Sequence, residues 1–421
     1  MINNYSGLAL IPGYSMRTSK ACFLFSLLLI FRLATAQEQP LTVVDPEDRY
    51  IPLDTDDENR DPWEAMRDQR EYPDREPGLI PTGRLRQPGI KSFFGLPLAL
   101  TPEDLEAADV DVAIMGAPID MGYGFRGAGK GPDALRAGIT GVDSSNSGNL
   151  PHMHVGVAWK RSLVAVDYGN SPIDLLSTER SMPPVRRMVR EIAETGTIPV
   201  IVGGDHSLEY PNVAAITDVY GKENVSVIHF DAHFDAGDVE FGHMISHGQP
   251  IRRLVDDGHI AGSNYIQVGL RGYWPGEEGF EWMRENNMRY HTMAEIERDG
   301  WDVVMDRIMN EALEAGEYLY ISFDIDVLDP AYMPGTGTPE SGGLTPREVF
   351  PLLRTLCSEN QMVGFDVVEL NPLVDPGYTT VLNTHRLLQE CLTGIAMRKE
   401  GITERGYHNP LTVEDNRTDP E

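Results

Sequence analysis

Three things are scarce in this chain. Of its 421 residues only three are cysteine, so no disulfide framework carries the fold. Cys22 lies in a leader-like segment, and the remaining Cys357 and Cys391 do not settle the redox compartment. Basic side chains are outnumbered, 35 Lys and Arg against 65 Asp and Glu, for a formal net charge of −30. Such a surface repels nucleic acid and anionic lipid, and it suits cationic small molecules or metal ions. Long apolar runs are missing as well. The run Ala21 to Phe31 is too short for a membrane span, which needs about 20 residues.

What is present begins with that run. Arg17 and Lys20 precede it and Ala34-Thr35-Ala36 follows it, which is the layout of a signal peptide. The reading takes Met16 as the start and places cleavage near Ala36, with residues 1–36 as the leader. Export to the periplasm or beyond the cell is the expectation, with the cytoplasm as alternative. Residues 37–89 are rich in Asp, Glu, Arg and Pro with little periodicity, an acidic arm. Residues 90–400 form the expected catalytic domain, and 401–421 a tail.

Within that domain short apolar runs recur. They are DVAIMGAP, SLVAVDYG, IPVIVGGD, VSVIHF, YIQVGLRG, YLYISFDID and MVGFDVVEL, with MRYHTMAEI as a possible eighth. Each reads as a strand buried on both faces. Helical periodicity fits between them, as in Val185, Met188, Val189 and Ile192, and in Val349, Leu352, Leu353 and Leu356. Thr345, Pro346 and Glu348 form a capping box ahead of the second. Alternating strands and helices predict an α/β fold of three layers, α/β/α, around a parallel sheet of about eight strands.

Ligands of such sheets sit beyond the carboxyl ends of the strands. Here those ends read GGDHS, DAHFD, SFDIDVLDP and DVVELNP, placing His206, Asp231, His233, Asp235, Asp324, Asp326, Asp329, Asp366 and Glu369 on one rim. Along a strand i and i+2 share a face, so Asp231 points with His233, and Asp324 with Asp326. Four close carboxylates need strong positive charge, and these stretches contain no Lys or Arg. Divalent metal is the simplest source. Six ligands exceed what one ion takes from protein and suit two ions with shared carboxylates. Mixed oxygen and nitrogen donors favour Mn²⁺, with Ni²⁺, Co²⁺, Fe²⁺ or Zn²⁺ as alternatives.

GGDHS, DAHFD and SFDIDVLDP, in this order, resemble the signature segments of the ureohydrolases: arginase, agmatinase and the guanidino-acid hydrolases. GTGTPESGGLT and DVVELNP are similar to further family segments, and the resemblance runs from about residue 90 to 395. It implies an arginase-like fold, a binuclear manganese centre and a homo-oligomer, trimer or hexamer. It implies hydrolysis of a guanidinium to an amine plus urea by attack of a metal-bridging hydroxide. Carried over, His206 and Asp235 hold one metal, His233 and Asp326 the other, and Asp231 and Asp324 bridge them. Asp326 also assists the leaving amine, Glu369 binds the guanidinium, and His247 relays protons, with His243 as its neighbouring rival.

The substrate is read from departures. Gly237 stands where arginases carry an Asn that helps hold an α-carboxylate, which turns the expectation from arginine toward agmatine. Glu340 is a further acid for a cationic tail. Arg126, in the glycine-rich DMGYGFRGAGKGP, is instead a contact for a carboxylate tail and favours a guanidino acid such as 4-guanidinobutyrate, while guanidine itself, whose second face Glu340 would meet, is a further alternative. A one-metal amide deacetylase on the related fold is the competing enzyme class. It has no need of His206, Asp235 and Asp326 together.

Overall fold

The computed structural model describes residues 75–82, 90–138 and 147–413. The leader and nearly all of the acidic arm lie outside them, as does the end of the tail.

All eight expected runs are strands: β1 (Val112–Ala117), β2 (Ala165–Asn170), β3 (Ile198–Gly203), β4 (Val225–Phe230), β5 (Tyr265–Leu270), β6 (Arg289–Thr292), β7 (Tyr318–Asp324) and β8 (Gln361–Val368). They form one sheet in the order β2-β1-β3-β8-β7-β4-β5-β6. Every pairing is parallel. Side chains alternate between two apolar cores. Val112 and Ile114 join one, with Ile308, Leu353 and Leu388 from the helices Trp301–Ala315, Pro346–Glu359 and Thr379–Lys399. Ala113 and Met115 join the other, with Val189, Ile216 and Leu254 from Thr178–Glu194, Glu209–Tyr220 and Pro250–Asp256. This is the three-layer α/β/α architecture, with both faces of the sheet covered by helices.

The capping box forms as read. The Thr345 amide donates to the Glu348 carboxylate at 2.7 Å, and Pro346 opens the helix. Cys357 and Cys391 are buried free thiols. No helix among the described residues is long and apolar enough to cross a membrane.

The strand order positions the site. From β3 the chain does not enter the neighbouring lane but jumps to β4, and β8 and β7 later fill the gap. Strands that diverge in this way open a crevice at their carboxyl ends. The four central neighbours, β3, β8, β7 and β4, are the ones whose ends carry the acids and imidazoles.

Candidate metal centre

After β3 the chain turns through Asp205, whose side chain caps the short helix His206–Leu208 and accepts the Met121 and Gly122 amides at 2.6 and 2.9 Å. That clamp joins the loop after β1 to the loop after β3. His206 is completely buried. Its Nε2 meets Ser322 Oγ at 2.9 Å, and Ser322 donates to Asp366 at 2.8 Å. Its Nδ1 faces three carboxylates: Asp231 at 2.9 Å, Asp235 at 3.2 Å and Asp324 at 3.3 Å. One ring nitrogen is anchored, and the other is presented to the acids.

Asp231 follows β4 and divides its oxygens. Oδ2 faces His206, and Oδ1 lies 3.2 Å from His233 Nδ1. His233 Nδ1 is also 3.1 Å from Asp326 Oδ2. Asp324, the last residue of β7, accepts the Asp326 amide at 2.8 Å, and Asp326 accepts the Ala232 amide at 3.2 Å. The six residues expected as ligands are therefore brought together. Asp235 sits at φ +46°, a left-handed conformation that a non-glycine residue holds only when its surroundings enforce it.

The electrostatics show what the group lacks. Burial, then the neighbouring Asp326 and Asp231, push the Asp324 carboxyl well above its usual range. Asp235 is raised by burial and by Asp231. Burial would push the His206 imidazole down, yet its bonds to three carboxylates carry it well above the ordinary histidine value. His233 is raised against its own burial by Asp326 and Asp231. The chain's own compensation for these acids is protons on imidazoles. Two overlapping groups have donor atoms within 4.8 Å of one another: His206, His229, Asp231 and Asp235, and Asp231, His233 and Asp326. Asp231 belongs to both. Hard oxygen donors with imidazole nitrogen, buried and short of cations, fit a divalent metal.

His229 was not among the expected site residues. It lies in β4 two places before Asp231, so the same alternation that pairs Asp231 with His233 could have found it. Its ring stacks on His206 with centroids 4.6 Å apart. Its Nδ1 is 3.1 Å from the buried Glu209 carboxylate, which also accepts the Tyr265 hydroxyl at 3.2 Å. Its Nε2 lies 3.2 Å from Asp231 Oδ2, yet without hydrogen-bond geometry or any other partner. An orphaned buried nitrogen beside a shared carboxylate is a second sign of a centre suited to metal.

Glu369 follows β8 at φ +63°. Its Oε1 accepts the His206 amide at 2.9 Å and lies 3.2 Å from His247 Nδ1. Burial would lower the His247 imidazole, but Glu369 pulls it up to about 9. His247 Nε2 is buried without a partner, and the ring packs edge-on against Tyr123 at 4.4 Å. His243, the rival, is a surface residue whose ring faces Glu179 at 3.6 Å.

Four other residues take different places. Asp366 is not on the rim but beneath it, bonded by Tyr320, Ser322 and Asn212, and it orients His206 through Ser322. Asp329 organises its own loop by accepting the Ala331, Gly342 and Gly343 amides. Arg126 is exposed and donates to the Asp120 carbonyl. Glu340 is half-buried and packs over Gly272, and its carbonyl accepts Arg271 at 2.7 Å. No hydrogen bond or ion pair among the described residues joins the Arg126 or Glu340 side chain to the six acids and imidazoles. Arg271 went unread in the sequence; its guanidinium binds carbonyls behind the site, including that of Asp326 at 2.6 Å.

Comparison with known proteins agrees with this geometry. The model of the arginase family matches residues 110–394. The mitochondrial guanidino acid hydrolase of Homo sapiens is 34% identical over 74% of this chain and 84% of its own length. The mitochondrial agmatinase of Gallus gallus is 35% identical over 73% of this chain and 86% of its own. The solved structure of proclavaminate amidino hydrolase from Streptomyces clavuligerus superposes with a TM-score of 0.63 at 30% identity. It covers 75% of this chain and 100% of that one.

Proposed function

This chain belongs to the arginase family and is a hydrolase of guanidino compounds, and from that premise we propose agmatine as its substrate and a two-metal centre as its means. His206 and Asp235 would hold one ion and His233 and Asp326 the other, with Asp231 and Asp324 available to both. The observation that carries this reading is the division of Asp231 between two donor groups. Mn²⁺ is the favoured metal on donor chemistry, with Ni²⁺ as the leading alternative. Bound divalent ions at such a centre supply Lewis acidity and activate water near neutral pH.

The chain's own residues do the rest. Glu369 offers a buried carboxylate to the planar guanidinium, a charge-assisted contact that orients the carbon to be attacked. Water adds at that carbon, the bond to the substituted nitrogen breaks, and urea and the amine leave. Asp326 stands at the centre to pass a proton to the departing amine. His247, one nitrogen toward Glu369 and the other unpartnered, exchanges protons with the medium.

A guanidino acid is the second reading, favoured by the human relative. The test uses purified protein loaded with Mn²⁺ or Ni²⁺ and offered agmatine, 4-guanidinobutyrate, guanidine, arginine and an acetylated polyamine. Urea from agmatine is expected. Turnover of the acetylated polyamine alone would sink the guanidine reading in favour of a deacetylase. Asp235→Asn is expected to remove one metal equivalent, and unchanged metal content would refute the ligand assignment. We also propose that the chain is exported and works as a homo-oligomer. N-terminal sequencing of the mature protein and its mass in solution test those two points.

A further inference from the structure

Gly237, the glycine that stands where arginases carry Asn, is not an empty place. A Cβ built on it would lie 3.0 Å from the Gly248 carbonyl and 3.5 Å from Trp274 Cζ2. A side chain at 237 would crowd the Gly248 carbonyl and touch the indole of Trp274. Trp274 is held there by Phe234, edge-on at 5.2 Å, and Phe234 sits between the ligands His233 and Asp235.

Gly248 approaches the same indole. A Cβ on Gly248 would be 3.8 Å from Trp274 Cη2, 3.9 Å from Glu240 Oε2 and 3.9 Å from the Tyr123 hydroxyl. The Trp274 ring edge, the Tyr123 hydroxyl and a Glu240 carboxylate oxygen all lie within 4 Å of that point. Gly248 directly follows His247, whose Nδ1 is 3.2 Å from Glu369, so these three side chains adjoin the acid proposed to bind the guanidinium. Tyr123 spans the two: burial raises its hydroxyl first, then Glu240 on one side and Asp235 on the other.

The Glu240 carboxylate has no cation of its own among the described residues. The basic groups on or next to the same three loops have other partners. Arg126 binds the Asp120 carbonyl, Arg253 faces Asp256 at 3.1 Å and Asp238 at 3.8 Å, and Arg271 binds main-chain carbonyls. The His243 ring faces Glu179.

We propose that Tyr123, Trp274 and Glu240 are the specificity-determining residues that receive the cationic tail of the substrate, a primary ammonium on a short aliphatic chain. This rests on the reading of the chain as a guanidino-compound hydrolase. An ammonium over an indole or phenol face gains from the ring quadrupole, and a lone carboxylate beside it adds direct charge complementarity. A carboxylate tail meets Glu240 with like charge and no free basic partner. The selectivity for a tail thus comes from Trp274 and Glu240 rather than from Arg126 or Glu340.

The test compares agmatine with butylguanidine, which has the same chain without the ammonium, and with 4-guanidinobutyrate. The metal-loaded full chain is assayed unaltered and as Glu240→Gln, Trp274→Ala and Trp274→Phe. The unaltered protein is expected to show its lowest KM for agmatine. The ratio of KM for agmatine to KM for butylguanidine is expected to rise about tenfold in E240Q and W274A, and about twofold in W274F. Calorimetry with 1,4-diaminobutane should show the same order of weakened binding. A ratio unmoved by E240Q and W274A, or a preference for 4-guanidinobutyrate, overturns the proposal. Urea from none of the three substrates would defeat the hydrolase reading instead. In that case diaminobutane binding decides the pocket alone: weakening in E240Q supports it, and equal binding in E240Q and the unaltered protein overturns it.

Discussion

Two groups of buried acids in this molecule solve one problem in opposite ways. In the helical layer, Glu390 on Thr379–Lys399 is paired with Arg354 of the adjacent helix, with Arg386 at 2.6 Å and with His152 at 3.3 Å. Its carboxyl is pulled down to about 2: burial opposes this, and His152, Arg354 and Arg386 overcome it. At the strand ends, Asp231, Asp235, Asp324 and Asp326 are as deeply buried, yet among the described residues their ion-pair partners are imidazoles, and Asp324 and Asp235 are pushed up instead. A buried acid with its own guanidinium is finished architecture. A buried acid left to imidazoles is suited to receive a cation from outside.

The comparison can be broken at either end. The largest effect is expected at the strand ends. Asp231→Asn removes the carboxylate common to both donor groups, so urea release should fall about 10³-fold or more. Metal analysis should show lost ion at unchanged fold, and full retention of metal would contradict the receptor reading. Next comes Arg354→Leu, which strands Glu390. Denaturant unfolding should report a loss of about 3–5 kcal/mol, with most of it recovered when Glu390→Leu is added. The smallest effect is one of pH. The folded carboxyl of Glu390 titrates near 2 and the unfolded one near 4.5. Its stabilisation is therefore complete above 4.5 and disappears as the pH falls through 2. It amounts to about 3 kcal/mol. Unfolding measured at pH 7, 4 and 3 should show this slope, and Glu390→Gln should flatten it.

Much of this was legible in the sequence because the signals were local. The strands announced themselves as short β-branched runs, since a parallel sheet between two helical layers has no wet face. The cluster of six acids and imidazoles was legible because such groups at i and i+2 after these runs are costly to bury without a cation. His229 obeyed the same rule but sat inside the apolar run VSVIHF, where it reads as part of the strand. Asp366 misled for the converse reason: it looks like a rim acid, and only the tertiary partners Tyr320, Ser322 and Asn212 show that it is support. The strand order was invisible, because nothing in β3 or β4 states that two later strands will come between them. Tyr123, Glu240 and Trp274 were hidden for that same reason. They lie on three different loops, and only the fold makes them neighbours.

The order β3-β8-β7-β4 also imposes a timetable. His206, Asp231, His233 and Asp235 leave the ribosome before β7 and β8 exist. In the finished sheet β3 and β4 stand three strand spacings apart, roughly 14 Å. The strands that define that spacing, and with them Asp324, Asp326 and Glu369, are made after both. A nascent or truncated chain thus holds scattered donors but no assembled centre. Possession of the centre certifies that synthesis has passed β8.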